Sequence, residues 1–108
     1  MKKNKQSLKE IFAEALEQYK NKDFKTAEVI CYKILSINSD HFDSLSLLSN
    51  IYAINKNFNK AKELLEKAIK IQPKNMTILN NLGTAYKELG LTEKAITFYQ
   101  KALDINSN

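Results

Sequence analysis

The chain has 108 residues, and 44% of them are hydrophobic, which is the size and composition of one ordinary globular domain. Two Gly and one Pro leave little material for strands, tight β-turns or a glycine-rich phosphate loop, so the composition favours an all-α fold. The formal net charge of +5 comes mainly from Lys2, Lys3, Lys5 and Lys9, and the chain from Glu10 onward has 13 Lys against 12 acidic residues, a net charge of +1. Every basic residue is Lys. Because none is Arg, the usual bidentate reader of bases and phosphates, the composition argues against specific nucleic-acid binding.

Residues 1–7 are therefore predicted to form a basic, flexible tail, and residues 8–108 a single domain. No apolar stretch follows the tail lysines, so we predict neither a signal peptide nor a membrane span. The single cysteine, Cys31, can form no intramolecular disulfide and suits a reducing compartment, so we expect a cytoplasmic protein.

The first predicted hairpin consists of helices over residues 7–20 and 24–37. Apolar residues recur in both segments at the spacing of one helix face. The short segment between them is polar, and Asp23 can cap the second helix with its carboxylate.

The second predicted hairpin has the same form, with helices over residues 41–55 and 58–71. Asp40 or Ser39 is the expected cap of the first of these helices, and Asn57 of the second. All connecting segments are short, so consecutive helices must be antiparallel neighbours.

Pro73 separates the second hairpin from the third, because a proline ring cannot donate to the preceding helical turn. The third hairpin is predicted over residues 75–89 and 92–106. Gly90 can adopt the left-handed conformation that ends the first of these helices, and Thr92 is the expected cap of the second.

A repeat of 34 residues runs through all three hairpins. Ala27, Ala61 and Ala95 lie 34 residues apart, and twelve residues before each of them is another small residue. These three are Ala15, Ser49 and Gly83. Small residues at two fixed places in each copy indicate two helices that pack very closely. The units are predicted at about residues 8–41, 42–75 and 76–108.

This pattern resembles the tetratricopeptide repeat. The third unit matches it with Leu79, Leu82, Gly83, Tyr86, Ala95, Tyr99 and Ala102, and the second with Leu45, Leu48, Ser49, Tyr52, Ala61, Leu65, Ala68 and Pro73. The first unit departs from it at Glu14, which replaces the leucine of the other two units, and this is typical of a terminal, capping repeat. The chain further resembles the leading repeats of bacterial tetratricopeptide proteins and the superhelix of O-linked N-acetylglucosamine transferase.

The resemblance implies a right-handed α-solenoid of three antiparallel hairpins, six helices in all. It also implies a non-catalytic scaffold or adaptor that binds a peptide or partner helix in a groove lined by the first helix of each unit. The residues expected in this groove are Phe12, Leu16, Tyr19, Asp43, Leu47, Asn50, Ile54, Thr77, Asn80, Asn81, Thr84 and Lys87. Asn81 matches the asparagine that grips peptide backbone in the transferase superhelix, and Asn50 offers a second amide.

Other functions remain open at this stage. The uncovered flank of the last helix predicts a homodimer through Tyr99, Leu103 and Ile105, and the resemblance also allows an accessory domain of a larger glycosyltransferase or methyltransferase. One His, one Cys and scattered carboxylates do not form a catalytic or metal-binding set, so we expect no enzyme activity and no cofactor. The carboxylate clamp of chaperone-binding repeats would need Lys, Arg and Asn where this chain has Phe12, Leu16, Leu47, Thr77 and Asn81, so only Asn81 is of a clamp residue type.

Overall fold

The computed structural model describes residues 6–106, and this part of the chain is entirely helical apart from turns. The helices are α1 (Leu8–Lys20), α2 (Phe24–Ile37), α3 (Phe42–Ile54), α4 (Phe58–Ile71), α5 (Met76–Glu88) and α6 (Thr92–Asn106). Each bound lies within one residue of its prediction, and the all-α class is confirmed. The periodic pattern determined the bounds because apolar stripes and turn residues agree in all three units.

The start of α1 extends the domain into the predicted tail. Ser7 is the N-cap of α1, with its Oγ accepting from the Glu10 N–H at 3.1 Å while the Glu10 carboxylate accepts from the Ser7 N–H at 2.9 Å. This reciprocal arrangement satisfies two backbone donors that the helix itself cannot pair. The rest of the tail, residues 1–5, lies outside the described residues.

Two of the four predicted caps are confirmed. Asp23 accepts from the Thr26 N–H at 3.2 Å, and Asn57 accepts from the Lys60 N–H at 3.2 Å. These side chains start α2 and α4 in the same way because they occupy the same place in successive repeats.

The predicted cap of α3 was wrong. His41, and not Asp40 or Ser39, directly precedes the helix, and its Nδ1 accepts from the Ser44 N–H at 3.2 Å. His41 therefore carries its ring proton on Nε2 and takes the role of Asn75, the residue one repeat later, which caps α5.

The predicted cap of α6 was also wrong. Thr92 is the first helical residue, so Leu91 occupies the cap position that Asp23 and Asn57 hold in the earlier units. The Leu91 carbonyl accepts from the Ala95 N–H at 3.0 Å, as at the other two starts, but leucine has no side-chain oxygen to add a second bond.

The turn inside each hairpin uses a left-handed residue at one fixed position. Gly90 has a φ of 82°, as predicted, and Lys22 and Lys56 have φ values of 66° and 63° at the equivalent positions. Only glycine adopts this conformation without steric cost, so the third turn is the least strained.

The small residues of the repeat lie where the helices come closest. Ala15, Ala27 and Ala61 are almost fully buried, as predicted. The tightest contact is in the third unit, where a Cβ added to Gly83 would lie 2.7 Å from two carbons of the Tyr99 ring. Only a residue without a side chain fits there.

The three hairpins stack in chain order into an elongated α-solenoid. Within a hairpin the two helices share the most extensive contacts, and α2 then packs on α3 and α4 on α5. The fold measures 56 × 30 × 21 Å. Each unit therefore depends mainly on its neighbours in sequence, as expected of a repeat protein.

We expect the substitution Gly83→Ala to destabilise the protein by about 1–2 kcal/mol. The added methyl group overpacks against Tyr99, a cost of about 1–3 kcal/mol, which outweighs the gain in helix propensity of up to about 1 kcal/mol. Urea unfolding followed by circular dichroism measures the change.

The matched control is Gly83→Ala in a Tyr99→Leu background, which copies the leucine at the equivalent position of unit 2, Leu65. There the same methyl group has room and should be neutral or stabilising. An equal loss of stability in both backgrounds would show that the tyrosine contact does not require the glycine.

Candidate peptide-binding groove

Two tyrosines hold each first helix against the preceding unit. The hydroxyl of Tyr52 donates to the Glu28 carboxylate at 3.0 Å, and that of Tyr86 donates to the Glu66 carboxylate. Tyr52 also shares a hydrogen bond of 2.6 Å with the Tyr32 hydroxyl. The sequence predicted both tyrosines as core residues, but it did not predict the bonds that fix the angle between units.

Burial and these carboxylates raise the pKa of the tyrosines. For Tyr86 burial is the main cause and the bond to Glu66 the second, and together they raise the pKa from 10.0 to about 12. The pKa of Tyr52 is raised by burial, by its bonds to Tyr32 and Glu28, and by their charges. Both hydroxyls therefore remain neutral donors throughout the physiological range.

Cys31 is a core residue, as predicted. Its thiol is fully buried, and burial together with the charge of Glu28 raises its pKa from 9.0 to about 12. A thiol in this state is neither a nucleophile nor a ready metal ligand. Within residues 6–106 no group of three His, Cys, Asp or Glu side chains could hold a metal ion.

The predicted groove residues of unit 1 are occupied mainly with packing. Phe12, Leu16 and Tyr19 are all half-buried against the core. The Phe12 ring lies 5.8 Å from the His41 ring, and Tyr19 packs edge-on against Phe24 at 5.5 Å. These three side chains can offer a ligand only part of their surface.

One predicted groove residue belongs to the core. Leu47 is 5% exposed and lies among the buried residues, so its side chain is not available to a ligand. The reason is that the position faces the neighbouring unit, where a leucine fills the space between the two hairpins. The remaining predicted residues of units 2 and 3 reach the surface: Asp43, Ile54, Thr77, Asn80, Thr84 and Lys87 are exposed, and Asn50 and Asn81 are half-buried.

Asn50, Asn81 and Thr84 line one pocket between units 2 and 3. Its volume is about 80 Å³. The other lining residues are small or apolar, namely Ser49, Ala53, Phe58, Ala61, Leu65 and Ala85. Within the described chain no side-chain hydrogen bond occupies either asparagine amide. The pocket therefore combines an apolar lining with two available amides.

The equivalent junction between units 1 and 2 has larger apolar side chains. Where the pocket has Asn81 and Asn50, that junction has Leu47 and Leu16, and Tyr19 replaces Ala53. The near-complete burial of Leu47 shows that this space is filled. The pocket thus exists because short polar or small residues replace large apolar ones at a single junction.

Thr84 links the pocket to the last helix. Its hydroxyl donates to the Asn80 carbonyl at 3.1 Å and lies 2.8 Å from the hydroxyl of Tyr99. Because Tyr99 is itself fixed by its contact with Gly83, the pocket wall on this side is rigid. The sequence could not predict this, because the residues are fifteen positions apart.

The fold and its groove define a helical-repeat scaffold. A family model described as tetratricopeptide repeat matches residues 40–108, so the chain belongs to the tetratricopeptide repeat family. Repeats of this family mediate protein–protein interaction. None of the helices between residues 6 and 106 is long and apolar enough to cross a membrane.

Two similar curated proteins are transferases. The chain is 30% identical over 86 residues to the human protein O-mannosyl-transferase TMTC1, covering 76% of this chain and 10% of that protein. It is 32% identical over 89 residues to the Arabidopsis thaliana protein SEC, a probable UDP-N-acetylglucosamine–peptide N-acetylglucosaminyltransferase, covering 82% of this chain and 9% of that protein. The chain thus spans about a tenth of each relative.

Solved structures with the same fold include a crystal structure of MamA, with a TM-score of 0.87 and 23% identity over 94% of this chain and 59% of that one. A mutant of Thermobaculum terrenum O-GlcNAc transferase has a TM-score of 0.85 and 27% identity over 94% of this chain and 19% of the enzyme. The resemblance to the repeats of this transferase, inferred above from the column pattern, is confirmed.

We expect the stability of the protein to fall between pH 10 and about 12, the range over which Tyr86 ionises first in the unfolded and then in the folded chain. Because the folded-state pKa is raised, the contribution is complete below pH 10 and is lost as the pH rises. The substitution Tyr86→Phe should lower stability at pH 8 and make its decline between pH 10 and 12 shallower, as measured by urea unfolding at each pH. Tyr19→Phe is the control, and an equally steep decline in Tyr86→Phe would contradict the assignment.

Proposed function

We propose that this protein binds an extended segment of another protein along α1, α3 and α5, and that the pocket between units 2 and 3 is the anchoring site. The observation that carries the proposal is the pairing of two unoccupied amides, from Asn50 and Asn81, with an apolar lining in one opening. Such a combination is typical of sites that hold a peptide by its backbone and one side chain.

The amides supply binding that does not depend on peptide sequence. Each offers one acceptor and two donors, so Asn50 and Asn81 can pair with the N–H and C=O groups of an extended backbone. Each hydrogen bond of this kind contributes about 0.5–1.5 kcal/mol. Two amides can therefore account for a weak to moderate affinity by themselves.

The pocket supplies the selectivity. A volume of about 80 Å³ holds a few methyl groups, so the lining around Ala53 and Ala61 fits a small apolar side chain of the size of alanine or valine. Larger aromatic side chains would have to displace the pocket walls, and Thr84 and Tyr99 hold one of these walls in place.

The proposal also places the protein in the cytoplasm. Cys31 is free and buried, which suits a reducing compartment. An adaptor of this size would bring a bound protein segment to a larger assembly without chemistry of its own.

We expect the double substitution Asn50→Ala/Asn81→Ala to weaken peptide binding about thirtyfold, the loss of about 2 kcal/mol of hydrogen bonding. Random peptides displayed on phage and selected on the unmodified protein serve as probes, and isothermal titration measures their affinities. Asn59→Ala, which removes an exposed amide of α4 outside the pocket, is the matched control and should bind normally. Unchanged affinity in the double variant would show that the peptide does not bind at the amides.

A third variant fills the pocket without disrupting the fold. Asn81→Leu restores the leucine that the junction between units 1 and 2 has at Leu47, so it should keep or raise the midpoint of urea unfolding. Because the leucine would occupy the space for the ligand side chain, the same variant should lose binding of the selected peptides. Normal binding by a stable Asn81→Leu protein would overturn the pocket assignment.

An accessory role in a transferase is a second candidate. It is supported by the 30% and 32% identity to TMTC1 and SEC, whose names describe transfer of sugars to proteins or peptides. In that role the groove would hold the protein to be modified. An immunoblot of the source cells separates the two, because an accessory domain requires a polypeptide far larger than 12.4 kDa.

A further inference from the structure

The back of each hairpin normally contacts the next one. In unit 1 Glu28 bonds to Tyr52 of unit 2, and in unit 2 the Lys62 ammonium lies 5.8 Å from the centre of the Tyr86 ring in unit 3. The position seven residues later holds Leu35 or Ile69, which are half-buried against the core. These two positions form the contact surface between units.

In unit 3 the same positions are apolar and exposed. Ile96 and Leu103 are each 60% exposed, and Leu91, in the position of the half-buried Phe24 and Phe58, is 44% exposed. We call Leu91, Ile96 and Leu103 the rear patch. The position of Ile96 carries a charged residue in both inner units, so the outermost unit is more apolar than the units it follows. A surface in contact with water would favour the opposite order.

The front of the solenoid has the polar character that the rear lacks. Glu10, Glu14 and Glu17 of α1 are exposed. At the equivalent positions the inner units bury Ser44 and Ile78, Leu48 and Leu82, and Ile51 and Ala85. Stacking the front of one copy on the rear patch of another would bury three carboxylates against apolar side chains, which is strongly unfavourable. Head-to-tail assembly is therefore excluded by charge.

We propose that the rear patch binds the rear patch of a second copy, which gives a two-fold symmetric dimer. Ile96 and Leu103 are seven residues apart and lie on one face of α6, with Gln100 between them. If two α6 helices cross antiparallel near Gln100, Ile96 of each copy meets Leu103 of the other. This self-complementarity is the requirement for a closed dimer.

The charges of α6 permit this contact. Glu93 and Asp104 balance Lys94 and Lys101, so the helix has no net charge to repel an identical helix. The two grooves lie on a different face from the patch and stay open in the dimer. A dimer of this form would bind two segments of a partner at once and so gain avidity.

The residues differ in part from the sequence prediction of a dimer through Tyr99, Leu103 and Ile105. Tyr99 is half-buried, with its ring against Gly83 and its hydroxyl bonded to Thr84, and Ile105 is half-buried. Of the three, Leu103 is the exposed one, and the sequence analysis missed Ile96. A contact of two helices is smaller than a standard interface, so we expect a weak dimer with a dissociation constant in the micromolar range.

Sedimentation equilibrium over a concentration series from low micromolar to millimolar tests this. The mass of the unmodified protein should rise from 12.4 kDa to twice that value and no further. Ile96→Lys, which copies Lys62 of the same repeat position, should keep the fold and raise the dissociation constant at least tenfold, or about 1.4 kcal/mol. Leu103→Lys should do the same.

Val29→Glu is the matched control, because Val29 is 59% exposed on α2 and lies outside the patch, so this variant should dimerise normally. Gln100→Cys should form a disulfide-linked dimer under oxidation, without larger products, because the two-fold axis passes near this residue. A monomer at all concentrations, an undiminished dimer in Ile96→Lys, or a mass that grows beyond two copies would each overturn the proposal. The last result would indicate head-to-tail stacking.

Discussion

The structure depends on one constraint, the close approach of the two helices within each hairpin. In the third unit this approach leaves no space for even a methyl group, since Tyr99 lies against the backbone of Gly83. Ala15 and Ser49 occupy the same place in the first two units and are almost fully buried. Small side chains let the helices of a unit share a large contact, and this contact makes the hairpin the building block of the fold.

A different kind of interaction sets how the hairpins stack. Tyr52 and Tyr86 each extend a neutral hydroxyl from a first helix to a glutamate of the preceding unit. The glutamates differ in position, since Glu28 lies one helical turn earlier in its repeat than Glu66. The same inter-unit contact is thus made by different residues at the two junctions, which shows that the repeat conserves geometry more strictly than identity.

The candidate site follows from a local failure of that packing. Large side chains fill the first junction, whereas Asn50, Ala53 and Asn81 leave a pocket at the second. Such a replacement costs some buried apolar surface, and a protein that retains it gains a place for a ligand. The apolar rear patch is a second departure from what an isolated stack in water would need, and it lies at the opposite extreme of the stack from the glutamates of α1.

The sequence alone determined the six helices, the period of 34 residues and the buried small residues, because these follow from local periodicity that three copies repeat in phase. It also predicted that Asn50 and Asn81 face the groove. It could not predict that Leu47 is buried, that His41 caps α3, or that Tyr99 is held by Thr84, since each depends on contacts between separate segments. Tertiary structure decided these points because the fate of a side chain at a junction is set by the size of its neighbour in the next unit, and a periodic pattern gives the position of that neighbour but not the space it leaves.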